Sequence, residues 1–481
     1  MGIRANPFAL LVAVAIGCAT PTHAQGIGFA KQRAIILSDV ENEPDDTMSF
    51  VRLFLYANQI DIEAIVATTS IHMKEGVHPE TVRKILAEYG KVQPNLLKHE
   101  PGYPTAKELQ ARVFAGQPGY GMAAVGEGKD TPGSERLLRA FDSDDSRPLW
   151  IPVWGGANTL AQALFKLRAT RSPADQHRLI SRLRVYTISD QDDSGAWIRQ
   201  TFPDLFYIVS PGGYGNAVWG GIMEKVEGID NTTLSNDWLA KNIQQGHGAY
   251  GALYPDVSYG MEGDTPSFLS LIPVGLADPE HPEWGGWGGR YTLDTPARAD
   301  TDPNGFNGGV PIEPETRPIW TNSKDTFIPY VRNEYGRSIR PRPALTSARA
   351  TVWRWREAFQ NDFAARMTWT NHSFAESNHP PKPGLAHADR LSVRSGASFV
   401  LDAAGSTDPD GDSLSYHWFN YAEAGTLAAP IPSQGAENDR RVRFVAPVVE
   451  KLETAHFILA VSDKGQPSLT RYRRVIVTFT P

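Results

Sequence analysis

The sequence predicts an α/β domain built on a mainly parallel sheet flanked by helices, followed by a small all-β sandwich. Three observations lead there. From Arg33 to about Gln200, short β-rich apolar runs alternate with helical periodicity, the pattern of successive βαβ units. After Asn378-His379-Pro380-Pro381-Lys382-Pro383 the pattern changes to alternation with period two, giving about six short strands in roughly 100 residues. The length of 481 residues also exceeds what one hydrophobic core usually supports.

At the amino terminus, Arg4 precedes an apolar run from Pro7 to Gly17 and a polar, small-residue stretch from Ala19 to Ala24. This reads as a signal peptide over residues 1–24, cut after Ala24. The alternative is a lipobox at Ala15-Ile16-Gly17-Cys18, with Cys18 carrying a lipid. Either reading sends the chain out of the cytoplasm, to the periplasm or beyond. Cys18 is the only cysteine, so no intramolecular disulfide is available.

The elements then follow in order. Ala34–Leu37 is a strand, Asp46–Ala57 a helix, Ile62–Thr68 a strand and Glu80–Tyr89 a helix. Leu149–Val153 is a strand, Asn158–Leu167 a helix, and Leu183–Ile188 and Leu205–Val209 are strands. From about Pro211 to Arg342 the pattern gives way to Gly-, Pro- and Trp-rich loops, expected to be functional walls. Residues 31–345 make the first domain. Residues 346–378 make a helical segment and linker, whose stripe of Trp353, Trp355, Phe359, Phe363 and Met367 reads as core. Residues 379–481 make the sandwich, with strands at Leu391–Val393, Ser398–Asp402, Ser415–Phe419, Arg441–Phe444, His456–Val461 and Arg474–Phe479.

Composition excludes several function classes. Hydrophobic residues at 41% and charged residues at 21% suit packed cores rather than disorder. No apolar stretch is long enough to span a bilayer. A net charge of -7 with no basic run argues against a nucleic-acid partner. The sequence does not set the oligomeric state.

The most informative segment is Ser38-Asp39-Val40-Glu41-Asn42-Glu43-Pro44-Asp45-Asp46, between the first strand and the first helix. Five carboxylates in eight residues repel one another unless a cation sits among them. A hard ion such as Ca²⁺ takes several oxygen ligands in irregular geometry and suits this loop. Helix capping accounts for one or two of the acids, Asp45 and Asp46, but not for all five.

This strand, acidic loop and helix resemble the amino-terminal motif of nucleoside hydrolases, in which Asp-x-Asp-Pro-Gly-x-Asp-Asp holds calcium and ribose hydroxyls. Glu43-Pro44-Asp45-Asp46, followed by Ser49, Arg52 and Leu53, is more similar to secreted nucleoside-hydrolase-like proteins described as cellulose-binding, which carry a carboxyl-terminal sandwich. The resemblance implies that Asp46 chelates calcium and Asp45 holds a sugar hydroxyl. The metal-binding base corresponds to Asp39 or to Glu41, depending on where the loop carries an extra residue. Glu43 replaces a family position and would line the site, which puts simple nucleoside specificity in doubt.

Trp154-Gly155-Gly156-Ala157-Asn158 resembles the family segment whose turn gives calcium a backbone carbonyl, by this register that of Asn158. Glu262-Gly263-Asp264-Thr265-Pro266 resembles the late His-Asp-Pro motif, implying Asp264 as a calcium ligand. Gly263 stands where the family often has its histidine acid. Asp190, Gln191 and Asp192 follow the strand Leu183–Ile188 and are candidates to hold sugar hydroxyls, or else form a solvated loop. His72 and His78 lie in another loop at the same edge, where either is a candidate proton donor.

The implied function is an exported, calcium-dependent glycoside hydrolase acting on a glycan, with a furanose-like sugar favoured and a water activated by the metal. A carbohydrate-binding protein without activity and an exported nucleosidase are the alternatives. Loop tryptophans, among them Trp154, Trp197, Trp219, Trp284 and Trp287, favour an oligo- or polysaccharide, since sugar C–H faces stack on indole. In the tail, Asp408-Pro409-Asp410-Gly411-Asp412 resembles a turn of immunoglobulin-like surface modules, so the sandwich is expected to be immunoglobulin-like, with Trp418 in its core.

Overall fold

The computed structural model describes residues 31–210, 217–258, 260–296, 310, 314–328, 330–332, 338–341, 343–427, 429–435 and 437–481. The expected leader over residues 1–24, including Cys18, lies outside them. Eight strands, β1 (Gln32–Ser38), β2 (Ile60–Ala67), β3 (Val113–Ala115), β4 (Leu149–Val153), β5 (Leu183–Thr187), β6 (Phe206–Val209), β7 (Tyr291–Asp294) and β8 (Ile319–Asn322), form one sheet. Their order is β3-β2-β1-β4-β5-β6-β8-β7, and every pairing is parallel except that of β7 with β8.

Both faces of this sheet are covered, so β1 reads as a continuous apolar run rather than an alternating one. Ala34 and Ile36 point into one core with α1 (Pro44–Phe54) and α2 (Pro79–His99). Ile35 and Leu37 point into the other, where Leu137, Leu160 and Ile198 pack. The first helix starts cleanly because Pro44 occupies its first turn, where no N–H is missed, and Asp45 and Asp46 suit its positive end.

The helix Arg356–Thr368 belongs to this α/β unit. Phe359, Phe363 and Met367 lie in the same core as Phe54 and Trp287, as the apolar stripe implied. Tyr56 donates to Asp362 at 2.6 Å, and Arg366 donates to the Leu55 carbonyl at 3.0 Å. Much of the stretch between the two domains therefore acts as a core element of the first.

Beyond it, Arg390–Arg394, Ser415–Asn420, Glu453–Ser462 and Thr470–Thr480 form a four-stranded sheet, and Ser398–Asp402 pairs with Arg441–Val445 in a second. The two pack around Phe399, Trp418, Phe444, Phe457 and Phe479. The pairing of Arg390–Arg394 with Thr470–Thr480 is parallel, and the others are antiparallel. Among the described residues, no helix is long and apolar enough to cross a membrane.

Because β1, β2, β4 and β5 run parallel, the loops that follow them meet at one edge of the sheet. That edge holds the candidate site.

Candidate functional site

Backbone hydrogen bonds stitch three strand ends together at this edge. The Thr68 N–H donates to the Ser38 carbonyl at 2.8 Å, and the Trp154 N–H donates to the Leu37 carbonyl at 2.8 Å. The chain then turns tightly, with the Asn42 N–H donating to the Asp39 carbonyl at 3.0 Å. The Ser38 hydroxyl donates to the Asp46 carboxylate and accepts from the Val40 N–H. Asp39, Asp45 and Asp46 thereby face a cleft of about 260 Å³.

Asp264 enters the same cleft from a distant part of the chain. Its segment is anchored by Glu262, whose buried carboxylate pairs with Arg52 of α1 at 2.5 Å and accepts from Tyr254 at 2.6 Å. Glu262 holds a left-handed backbone (φ 51), which swings the following residues back towards the sheet edge. A Cβ on Gly263 would lie 3.1 Å from an Asp45 oxygen and 3.1 Å from the Trp219 ring. A side chain at position 263 would therefore press on Trp219 and Asp45, and one of them would have to give way.

Oxygen atoms of Asp45, Asp46 and Asp264 all lie within 4.8 Å of one another. Asp39 Oδ2 and Asp264 Oδ2 are buried and have no hydrogen-bond partner in the structure. Burial pushes Asp39 up to about 7, with Asp45 adding to the effect and a Ser70 hydrogen bond opposing it. Burial, then Glu43, pushes Asp45 up to about 6. Asp46 is also raised, first by burial and then by Asp39 and Asp45, and Asp264 first by burial and then by Asp46, Asp45 and Asp39. Buried carboxylates this close must hold protons or share a cation. The oxygen-only donor set, with two unpartnered buried oxygens, fits a hard divalent ion such as Ca²⁺.

The structure brings most of the expected residues together. Asp39, Glu43, Asp45, Asp46, His72, Gln191 and Asp264 all line the cleft. Gln191 donates to the Trp154 carbonyl, and its own Oε1 is buried without a hydrogen-bond partner.

Four expectations are corrected by the geometry. Glu41 turns away from the cleft: Thr81 donates to it, and His78 Nδ1 lies 3.2 Å from it. Of the two candidate bases only Asp39 reaches the site. Asn158 is the first residue of a helix, Asn158–Thr170, so its carbonyl points along that helix rather than into the cleft. Its side chain instead donates to Thr69 Oγ1 at 3.0 Å and the Gly119 carbonyl at 2.7 Å. Asp190 is consumed by Arg199, which donates to it at 2.8 and 2.9 Å. Asp192 is a buried brace that accepts from the Asn158 N–H at 3.1 Å.

The tryptophans divide as well. Trp154 borders the cleft, but its indole is buried against Phe50 and Phe268 and donates to Ser267 Oγ at 2.9 Å. Trp287 is fully buried. Trp219 alone of the named loop tryptophans pairs partial exposure with a place on the acidic cleft. Sequence reasoning missed Ser70, the Arg52–Glu262 pair and the role of Gly155. A Cβ on Gly155 would lie 2.7 Å from an Asp39 oxygen, so the glycine makes room for that carboxylate. The Gly-Gly pair at 155–156 was the available signal, since adjacent glycines mark a close approach.

Comparison with known proteins places these features. Residues 33–291 match the family model described as cellulose-binding Sde182, nucleoside hydrolase-like domain. Residues 398–479 match that of the cellulose-binding protein Sde0182, C-terminal domain. Among solved structures, the chain is similar to a nucleoside hydrolase-related hypothetical protein from Saccharophagus degradans associated with carbohydrate metabolism. Identity is 34%, the match covers 94% of this chain and 100% of that one, and the TM-score is 0.76. The effector protein XOO4466 (10% identity, 62% of this chain and 88% of that one, TM-score 0.28) and the type III effector XopQ, solved with adenosine diphosphate ribose (13%, 62% and 89%, 0.26), are distant. No curated protein matches the sequence. The chain belongs to the cellulose-binding Sde182 family, joining that family's nucleoside hydrolase-like domain to its own C-terminal domain.

Proposed function

We propose that the chain is an exported, calcium-dependent glycoside hydrolase that cleaves a glycosidic bond in an oligo- or polysaccharide, with a furanose-like sugar favoured. The observation that carries this reading is the pair of buried, unpartnered oxygens on Asp39 and Asp264 in one cleft with Asp45 and Asp46. A binding surface for neutral sugar has no need of carboxylates held at such cost.

Asp39, Asp46 and Asp264 are the residues to hold the ion. When bound, Ca²⁺ supplies charge that acidifies water and orients vicinal hydroxyls. Asp39, whose buried Oδ2 has no hydrogen-bond partner in the cleft, is the carboxylate to take a proton from the attacking water. Asp45, Glu43 and Gln191 accept or donate hydrogen bonds to the sugar hydroxyls. The carboxylates also stabilise positive charge developing at the anomeric carbon. His72, which lines the same cleft, is our candidate to protonate a leaving alcohol. Direct attack by water predicts inversion at the anomeric centre. Export, expected from the amino-terminal apolar run, suits a substrate outside the cell.

The test is release of reducing ends from a panel of plant and microbial glycans, with and without chelator and with Asp46→Ala as control. Release that needs both Asp46 and calcium supports the proposal. A second reading, binding of carbohydrate without cleavage, is favoured by the description of both matching domains as cellulose-binding. Retention on cellulose with no release from any glycan would establish it instead. Release from nucleosides alone would establish a nucleosidase.

A further inference from the structure

A cavity of about 610 Å³ lies away from the acidic cleft, where the α/β domain meets the sandwich. Its walls come from the end of α2, the segments 273–278 and 379–383, Trp284 and the strand Thr470–Thr480. Its charge is the opposite of the chain's. Of the cations on its walls, Arg471 is paired with Asp362 at 2.6 Å and Arg473 lies 3.8 Å from Asp389. Glu100 is in turn neutralised by Arg366 at 3.1 Å. Lys382, Arg390 and Arg474 are left facing a single remaining wall carboxylate, Asp278. A local excess of positive charge on a chain of net charge -7 marks a place for an anion.

Arg474 is held ready for that role. It donates to the carbonyls of Leu276 at 2.9 Å and of Trp284 and Gly285 at 3.0 Å each, and its Nη1 lies 3.0 Å from His456 Nδ1, so the guanidinium is fixed by neutral partners and offers an anion its charge rather than free donors. Trp284 stands beside it: the Arg390 and Arg474 guanidinium carbons each lie 5.8 Å from its ring. His281 stacks on the indole at 4.0 Å and holds it in place. Proline side chains at 101, 273, 380, 381, 383 and 409 supply a rigid apolar wall. Rigid aromatic and proline surface beside preorganised cations recognises a ring with an apolar face and an anionic substituent.

We propose that this interdomain cavity binds an acidic sugar unit of a glycan, its carboxylate or sulfate lying against Arg390, Arg474 and Lys382 and its ring against Trp284 and the prolines. The choice of a sugar over another small anion rests on the carbohydrate reading above. The cavity would hold an acidic stretch of a chain whose scissile bond lies elsewhere.

The test is calorimetric titration of the full chain with trigalacturonate, a sulfated disaccharide, cellotriose and inorganic phosphate as separate probes. Trigalacturonate or the sulfated disaccharide should bind at least ten times more tightly than cellotriose and than phosphate, and which of the two binds names the anionic group. Arg390→Glu and Lys382→Glu change exposed side chains and should leave the fold intact, as checked by thermal melting. Each should weaken the acidic probe at least tenfold, while Asp46→Ala should not. Equal binding of cellotriose, equal binding of phosphate, or unchanged affinity in Arg390→Glu would overturn the proposal. Loss of the acidic probe in Asp46→Ala would do so too, by assigning it to the acidic cleft. Glycan cleavage in the acidic cleft can fail without affecting these outcomes.

Discussion

Arg52 and Glu262 are 210 residues apart in sequence, yet they form a two-pronged ion pair, at 2.5 and 2.9 Å, from which solvent is excluded. The pair fastens α1, which starts with Asp45 and Asp46, to the segment that delivers Asp264. Removing one partner leaves a bare charge in the core, which costs about 3–5 kcal/mol. Glu262→Gln is expected to lower stability by that order in chemical denaturation. It should also weaken calcium binding in calorimetry, although Glu262 is not itself a proposed ligand.

Asp264→Asn separates folding from ion binding by the sign of its effect. Without calcium, Asp264 is repelled by Asp46, Asp45 and Asp39, so the neutral amide relieves the cluster. The melting temperature of the chelated protein at pH 8 should therefore rise. Added calcium, which should raise that of the parent chain by several degrees, should then have little effect, and reducing-end release should fall at least a hundredfold. A fall in the melting temperature of the chelated variant would show that Asp264 is not held under repulsion.

The same cluster sets a pH dependence. In the folded chain without calcium, burial pushes Asp39 up to about 7 and Asp45 up to about 6, against about 4 when unfolded. Between pH 4 and 7 the folded state therefore holds more protons than the unfolded one. The contribution of these groups to stability is full at low pH and is lost as pH rises through that window. Calcium competes with those same protons, so its stabilising effect should grow from pH 5 to pH 8. Thermal melts with chelator and with calcium across that range check both slopes.

How far the site was legible in sequence depended on how local each signal was. The β1–acid loop–α1 unit showed itself because an apolar run, dense carboxylates and Pro44 fall within about twenty residues. The choice between Asp39 and Glu41 did not, because residue counts do not say which way a turning loop points its side chains. Asn158 failed for another reason: the sequence already begins a helix at that residue, and the carbonyl role taken from the family register conflicts with a carbonyl that lies within the helix. Three-residue β3 and the strands β7 and β8 lay among Gly- and Pro-rich segments with too little periodicity to read. The Arg52–Glu262 pair is a long-range contact and leaves no local pattern.

Gly155→Ala tests the packing around Asp39. The added methyl would lie 2.7–2.8 Å from the Asp39 carboxyl and Cβ atoms, so the side chain must move. Overpacking of this kind costs about 1–3 kcal/mol. The larger consequence should be functional: kcat is expected to fall at least tenfold, because Asp39 is the proposed proton acceptor. An unchanged kcat would remove Asp39 from that role.

Trp154 and Trp219 both border the cleft, and truncating each should give opposite signatures. Trp154 is fully buried between Phe50 and Phe268 and bonded to Ser267, so Trp154→Ala should cost about 3–5 kcal/mol through the cavity it leaves. Trp219 is only partly buried and sits beside Asp45, across Gly263, where a sugar ring can reach its indole. Trp219→Ala should therefore change stability less and raise KM for the glycan several-fold. Trp219→Phe, which keeps an aromatic face, should restore most of that affinity. Denaturation curves and initial rates on the same three variants distinguish the two roles: a KM for Trp219→Ala equal to that of the parent chain would make Trp219 a wall of the fold rather than a surface for substrate.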